Sequence, residues 1–314
     1  ERFWDFKYEE ISEAKSEDEI AKELREKIKE AVEVRLISEV PLGAFLSGGV
    51  DSSAVVGLMS EILDKPVKTF SIGFNEDTFS ELKYARIAAK HFNTEHHEFV
   101  VTPDLVETID ELVWHFDEPF SDPSSMPTYM VSKMARDHVT VVLSGDGGDE
   151  LFAGYTRYLI DQKRSGLGSL PNAVRKGLMQ PISEALPHGT RGKNFLYNTS
   201  LDAIDRYIDS VSQFGRLKKS SLYSEKFREK LLGQKSSEEV YQAIANSIST
   251  GNPTDNLLYL DSKTYLPGDI LTKVDRMSMA TSLEARVPLL DQDLIDYVTQ
   301  KIPTSLKLKG DVTK

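Results

Sequence analysis

Residues 40–63 run from a short apolar segment through a glycine-rich turn into an apolar helical pattern, and this passage constrains the fold more than any other stretch. Residues 40–46 have the length and apolarity of a buried strand, and 52–63 carry the pattern of the helix that follows. Between them lies Leu46-Ser47-Gly48-Gly49-Val50-Asp51-Ser52-Ser53. Such a loop sits where the N-terminus of a helix points, with backbone N–H groups and the positive end of the dipole turned toward a ligand. Gly48 and Gly49 permit a tight turn and close backbone approach, while Ser47, Ser52 and Ser53 add hydroxyl donors. The expected ligand is a pyrophosphate. No Gly-Lys-Ser/Thr string occurs, so this is not the ordinary nucleotide-triphosphatase loop, whose lysine reaches the terminal phosphates. Asp51 would repel phosphate alone, which calls for a bridging hard cation such as Mg²⁺. The plainer alternative is a Ser-Gly-Gly turn with Asp51 as a helix cap.

The rest of the first half repeats the strand–helix theme. Ser16 and Glu19 form a capping-box pattern ahead of Ile20, Leu24, Ile28 and Ala31 at helical spacing. Strands are expected over 67–74, near 97–101 and over 138–143, with helices at about 79–92, 103–116 and 126–137. Alternation with apolar strands predicts an α/β fold, a doubly wound parallel sheet. In such sheets ligands bind beyond the carboxyl ends of strands, where the crossover direction reverses. The loops beginning near Ser47, Gly73 and Ser144 all fall at such ends, and their convergence predicts one shared site. The opening aromatics Phe3, Trp4, Phe6 and Tyr8 form a strand or linker that packs against something. Beyond Tyr155 the strand signals fade into polar, Gly/Ser/Pro-punctuated stretches and amphipathic segments, which predicts a mainly helical C-terminal continuation. No repeat of solenoid length is visible.

Two further constellations carry chemistry. Asp146, Asp149 and Glu150 cluster in a glycine-rich turn at a strand end, where such charges are costly unless paired or metal-bound. They read as a second metal ligand and a substrate-facing carboxylate, or else as a solvated loop capping a helix that begins at Leu151. Asp269, Lys273 and Arg276 stand four and three residues apart and share one helical face, able to grip a carboxylate or phosphate or simply to be solvated and salt-bridged. The histidines have blander readings. His96 and His97 suit packing or hydrogen bonding at a strand edge, and His91, His115, His138 and His188 lack metal-ligand spacing. Asp117-Glu118-Pro119 and Asp122-Pro123-Ser124-Ser125 form a proline-broken acidic loop near the mouth of the site.

Composition narrows the function classes. A net charge of -12 over 314 residues argues against a nucleic-acid or anionic-membrane surface, which depends on summed lysine and arginine attraction. The absence of cysteine excludes disulfides, thiolate metal sites and a cysteine nucleophile within this chain, and fits a reducing cytoplasm. No apolar run reaches membrane-spanning length.

Taken in order, the 46–53 loop, the Ser71-Ile72-Gly73-Phe74 strand end, Leu143-Ser144-Gly145-Asp146-Gly147-Gly148-Asp149-Glu150-Leu151-Phe152-Ala153-Gly154-Tyr155 and Ser282-Leu283-Glu284-Ala285-Arg286-Val287-Pro288-Leu289-Leu290-Asp291 resemble the synthetase domain of glutamine-dependent asparagine synthetases. The likeness spans nearly the whole chain. Its first motif is shared with other ATP pyrophosphatases, and the last two are more specific. The resemblance implies an ATP-pyrophosphatase (adenine nucleotide alpha hydrolase-like) domain over 16–314, after a linker over 1–15, with a sheet core at about 16–160 and a helical part at about 161–314. It implies that ATP adenylates the side-chain carboxylate of aspartate, releasing pyrophosphate, and that ammonia then gives asparagine and AMP. Pyrophosphate would sit on Ser47, Gly48, Gly49, Ser52 and Ser53, with Asp51 and Asp149 sharing Mg²⁺. Leu46, Ile72, Gly73, Ser144 and Gly145 would line the nucleotide site, and Asp146 would handle the acyl-adenylate. Family members often carry glutamate at that position, and the shorter aspartate alters the pocket's reach.

Two departures stand out. The family's N-terminal glutaminase, with its terminal cysteine, is absent, so this chain could use only free ammonia. The family's catalytic lysine lies downstream of the Glu-Ala-Arg-Val-Pro block, and the chain stops at Lys314. The expectation is a fragment of a longer protein that supplies both pieces and allows a homodimer. The competing readings are the same chemistry on another carboxylate, as in amidating or β-lactam-type synthetases, and a nucleotide-binding domain without turnover.

Overall fold

The computed structural model describes residues 2–9, 15–74, 81–101, 105–165, 170–187, 189–310 and 312–313. The chain forms two compact units: Glu1–Phe152 with Thr264–Lys307, and Ala153–Lys263 with Leu308–Lys314.

The first unit is built on a five-stranded sheet. Its elements are α1 (Glu17–Arg35), β1 (Leu42–Phe45), α2 (Val50–Ile62), β2 (Lys68–Phe74), α3 (Leu82–His91), β3 (Glu95–Val101), α4 (Leu105–Phe116), α5 (Ser125–Arg136), β4 (Val141–Leu143), α6 (Gly148–Phe152) and, much later, β5 (Glu284–Arg286). The strand order is β3-β2-β1-β4-β5, and every pairing is parallel. From β1 the chain steps outward to β2 and β3, then returns to the far side of β1 for β4. Right-handed crossovers then demand helices on opposite faces for the two directions. The cores agree. One face carries Ala44, Val55, Val56, Met59, Ala85, Ala89 and Leu143 with Leu294 and Val298 of the helix Gln292–Lys301. The other carries Phe70, Val142, Val131, Ala135 and Leu283. Alternation along β4, with Val142 on one face and Leu143 on the other, is what a sheet buried on both sides requires.

Local signals work as expected in α1. Glu19 N donates to Ser16 Oγ at 3.3 Å and Ser16 N to Glu19 Oε2 at 2.9 Å, which closes the capping box. Ile20 and Ala31 are buried, with Leu24 and Ile28 packed against the same core. Trp4 and Phe6 also pack there, and Trp4 Nε1 donates to Asp296 at 3.3 Å, so these two anchor an irregular segment, whereas Phe3 is exposed.

Several expectations shift. Residues 79, 80 and 103, in two anticipated helices, lie outside the described residues, as does His188. The helix after β4 begins at Gly148 rather than Leu151, so Asp149 and Glu150 stand in its first turn. The stretch read as a mainly helical continuation contributes β5 to the same sheet, hydrogen-bonded to β4. Three residues, two of them charged, give no strand periodicity to detect.

The second unit is mainly helical. Its core joins Tyr158, Tyr207, Leu257, Leu258, Leu260 and Leu308, and a two-stranded antiparallel pair, Leu308–Lys309 with Val312–Thr313, belongs to it. Among its buried groups, Asp261 accepts from Arg157 Nη2 at 2.7 Å and from the hydroxyls of Tyr158 and Tyr207. Among the described residues, no helix is long and apolar enough to cross a membrane.

Candidate active site

The order β3-β2-β1-β4-β5 puts its reversal between β1 and β4, and the two glycine-rich loops leave the sheet side by side at that point. The first loop is held from below. Leu46 N donates to Phe70 O at 2.9 Å, and the Ser71 hydroxyl donates to Leu46 O, so the middle of β2 holds the chain where it leaves β1. Gly48 has φ +83°, and a Cβ there would stand 2.4 Å from Tyr84 C and Ala85 N. Only glycine lets this turn lie against the start of α3.

Gly49 caps α2 with no side-chain hydrogen bond. Asp51 sits in the first turn, so it is not the N-cap residue. Ser47 and Ser52 stand with hydroxyls 3.0 Å apart; Ser47 Oγ accepts from Gly49 N at 3.2 Å, and Ser52 Oγ donates to Gly49 O at 3.3 Å. Ser53 N donates to Gly49 O at 3.0 Å, closing the first turn. These groups form a concave set of hydroxyls and amides at the end of a 13-residue helix, a site suited to anions.

The second loop lies directly on the first. A Cβ on Gly145 would meet Ser52 N at 2.7 Å, and one on Gly148 would meet Asp51 Cγ at 2.5 Å. The start of α6 thus approaches the Asp51 carboxylate as closely as backbone can, and Asp149 follows in the first turn of that helix. Among the described residues no group of three His, Cys, Asp or Glu side chains is placed to hold a metal unaided. A cation there would take two protein carboxylates and complete its shell from ligand oxygens, the arrangement Mg²⁺ favours.

Asp146 lies in the same loop and is partly buried. Burial pushes its carboxyl above the usual range, and nearby Asp149 adds to that, while the Ser144 hydroxyl, donating at 2.7 Å, and the Lys273 ammonium oppose it. Ile72 and Gly73 belong to the C-terminal end of β2, next to β1.

The trio Asp269, Lys273 and Arg276 does not share one regular helical face, and the solvated, salt-bridged alternative fails at Lys273. A π-helical turn, Leu266–Leu271, carries Asp269 and widens the local winding ahead of the helix Thr272–Met279. Lys273 is buried, and Nζ donates to Asp122 Oδ2 at 2.9 Å and Ser124 Oγ at 2.8 Å. Arg276 is exposed, and its Nη1 donates to His115 O at 3.5 Å. Asp122 is therefore a member of the site region that spacing alone assigns no partner. A proline-broken acidic loop marks it, but an ion pair across 151 residues leaves no local pattern.

The charged residues of the Glu-Ala-Arg-Val-Pro-Leu-Leu-Asp block serve the frame. Arg286 Nη1 donates to Arg35 O and Ile37 O, both at 2.8 Å, at the end of α1. Asp291 caps the helix Gln292–Lys301 and pairs with Arg35 at 2.9 Å. At the strand edge, His96 Nδ1 lies 2.9 Å from Thr69 Oγ1, and His97 stacks on Phe70.

Comparison with known proteins matches residues 23–314 to the model of the family described as asparagine synthase. The chain is 39% identical over 299 residues to asparagine synthetase (glutamine-hydrolyzing) 1 of Bacillus subtilis strain 168, covering 95% of this chain and 46% of that protein. It is 35% identical over 312 residues to a putative asparagine synthetase (glutamine-hydrolyzing) of Mycobacterium bovis, covering 98% of this chain and 44% of the relative. A putative asparagine synthetase (glutamine-hydrolyzing) 2 of Methanocaldococcus jannaschii is 48% identical over 160 residues, half of this chain and 31% of its own length. The chain thus spans about half the length of the first two relatives.

Proposed function

Because this chain belongs to the asparagine synthase family, we propose that it is the ATP-dependent, amide-forming part of a longer enzyme, with an ATP-pyrophosphatase type of fold. ATP adenylates the side-chain carboxylate of aspartate and releases pyrophosphate; ammonia then attacks the acyl-adenylate to give asparagine and AMP. The carrying observation is the contact of the two strand-end loops, with Gly145 and Gly148 seated on Ser52 and Asp51. That contact supports the reading because it seats the acidic second loop on the hydroxyl- and amide-rich first loop.

In this reading Ser47, Gly48, Gly49, Ser52 and Ser53 bind the pyrophosphate portion, and Leu46, Ile72, Gly73, Ser144 and Gly145 bind the nucleotide through backbone at the strand ends. Asp51 and Asp149 would hold Mg²⁺, which neutralises charge on the leaving pyrophosphate. Asp146 faces the acyl-adenylate, and its raised proton affinity suits a group that takes a proton as the amide nitrogen forms. Asp269, Lys273 and Arg276 belong to the amino-acid side. The nitrogen comes as ammonia, which the names of the relatives connect with glutamine hydrolysis.

The test is exchange of labelled pyrophosphate into ATP by the full-length protein. Exchange that depends on aspartate supports the reading. Exchange with another carboxylic acid but not aspartate moves the assignment to a different acceptor, and ATP binding without exchange for any carboxylate overturns it in favour of a non-catalytic domain.

A further inference from the structure

The helical unit carries a cavity of about 380 Å³ walled by the helices Lys193–Ser200, Ala203–Val211, Arg216–Leu222 and Ser237–Ala245. Asp205, Ile208, Asp209 and Ser212 stand three and four residues apart, so one face of the second helix lines it. Several polar groups of the lining already have partners. Asp205 accepts from Gln242 Nε2 at 2.5 Å, Glu238 pairs with Lys219 at 3.3 Å, and Glu239 closes a capping box with Ser236. Tyr197, Asp209 and Arg216 are not spent in this way. Tyr197 is only 5% exposed, yet its hydroxyl has no hydrogen-bond partner among the described residues. Burial and the Asp209 charge raise the proton affinity of that hydroxyl and Arg216 lowers it, so it stands among the cavity's own charges. Asp209 accepts through Oδ2 from Asn198 Nδ2 at 3.3 Å, while Oδ1 faces the turn at Gly215, where a Cβ would stand 3.0 Å from it. Lys218 also acts on Asp209, but its ammonium donates to Gln213 O at 3.4 Å. Arg216 forms no ion pair with a carboxylate among the described residues.

We propose that this cavity binds an α-amino acid with an uncharged side chain by its zwitterionic backbone, the ammonium on Asp209 and Tyr197 and the carboxylate on Arg216. A carboxylate oxygen, a buried hydroxyl and a guanidinium, each without a partner, are the groups such a ligand satisfies together. An amine alone would leave Arg216 uncompensated, and a carboxylate alone would meet Asp209. An acidic side chain on the ligand would face Asp205, Glu238 and Glu239, and a basic one would have to displace the donors they already hold; Leu201 and Ile208 supply apolar surface instead. The site lies wholly within the helical unit, apart in the chain from residues 46–53 and 144–150, and goes beyond the ligase reading without depending on it.

The test titrates the full-length protein calorimetrically, without ATP, with L-leucine and L-asparagine. Isopentylamine and isocaproate, which are leucine without its carboxylate and without its ammonium, serve as truncated probes. Both amino acids should bind, and each truncated probe should bind roughly 10- to 100-fold more weakly than leucine, the loss of one charge-assisted contact. Arg216→Gln should bring leucine down to the level of the amine without weakening the amine itself, a pattern that a merely structural role would not give. Tyr197→Phe should weaken both amino acids roughly 3- to 10-fold. Without ligand, both variants should melt within about 2 °C of wild type, because Arg216 is exposed and Tyr197→Phe removes only an unpartnered hydroxyl. Asp51→Asn, in the first glycine-rich loop, should leave leucine binding unchanged. The site is overturned by the absence of binding for both amino acids at a Kd below about 10 mM, by an amine that binds as tightly as leucine, or by an Arg216→Gln variant that binds leucine as wild type does. Binding that Asp51→Asn abolishes places the ligand at the loops and overturns it as well. None of these results touches the ligase reading, which pyrophosphate exchange tests separately.

Discussion

At the scale of single residues, the site depends on backbone that approaches where side chains normally stand. Gly148→Ala would place a methyl group against the Asp51 carboxylate, with a Cβ-to-Cγ separation of 2.5 Å before relaxation. It should cut aspartate-dependent exchange at least tenfold while costing only about 1–2 kcal/mol of stability, measured by denaturant midpoint. Asp51→Asn keeps the shape and removes a charge. Its expected signature is a loss of exchange of about 100-fold or more, a rise in the magnesium needed for half activity, and no drop in stability. A variant that retains wild-type magnesium dependence would remove Asp51 from the metal role. The junction that carries Ser47, Asp51 and Ser52 is legible in the sequence because a strand, a glycine-rich turn and a helix follow one another locally. The Lys273–Asp122 pair was not, since its partners meet only after the sheet has closed.

Individual elements show why a motif can be informative and yet be partly structural. Arg286 in β5 donates twice to carbonyls at the end of α1, and Asp291 both caps the next helix and pairs with Arg35. Arg286→Ala should destabilise the protein by about 1–3 kcal/mol, and Asp291→Ala by about 1–2 kcal/mol through loss of the cap. Neither should change the KM for ATP in the surviving folded fraction; urea titration alongside exchange kinetics separates the two effects. The pattern of alternating apolar strands and helices exposed β1, β2 and β4, their helices and the parallel arrangement. It missed β5, whose identity as a strand comes from its partner β4 rather than its own three residues. It also put Asp269, Lys273 and Arg276 on one helical face, because spacing counts residues and cannot see a π-turn.

For the whole molecule, two kinds of carboxylate give acid stability opposite signs. Burial works against ionised Asp291, but Arg35 and the N–H groups of the helix end outweigh it and lower its proton affinity; Asp122 is lowered likewise, by Lys273 and Ser124 against burial. Their stabilisation is complete above the unfolded carboxylate range and is lost as pH falls through the lowered folded values. Asp269, raised mainly by burial, acts the other way: it weakens the fold once pH exceeds the unfolded value and ceases to do so on acidification. Asp291→Asn should therefore flatten the acid limb of a stability–pH curve, and Asp269→Asn should raise stability toward neutral pH. In the helical unit, Asp261→Asn should cost about 3–5 kcal/mol, because Arg157 would be left beside a neutral group in a buried network. Differential scanning calorimetry would show whether that loss lowers one transition or both. The division of the sheet unit into 1–152 and 264–307 also has a consequence for the chain as it is made. When the ribosome has delivered β4, the sheet still ends at an open edge, and it stays open until residues 153–263 and then β5 have been synthesised. During that interval the nascent protein has its first glycine-rich loop but neither its last strand nor Lys273, and the unsatisfied edge of β4 is where a chaperone would be needed most.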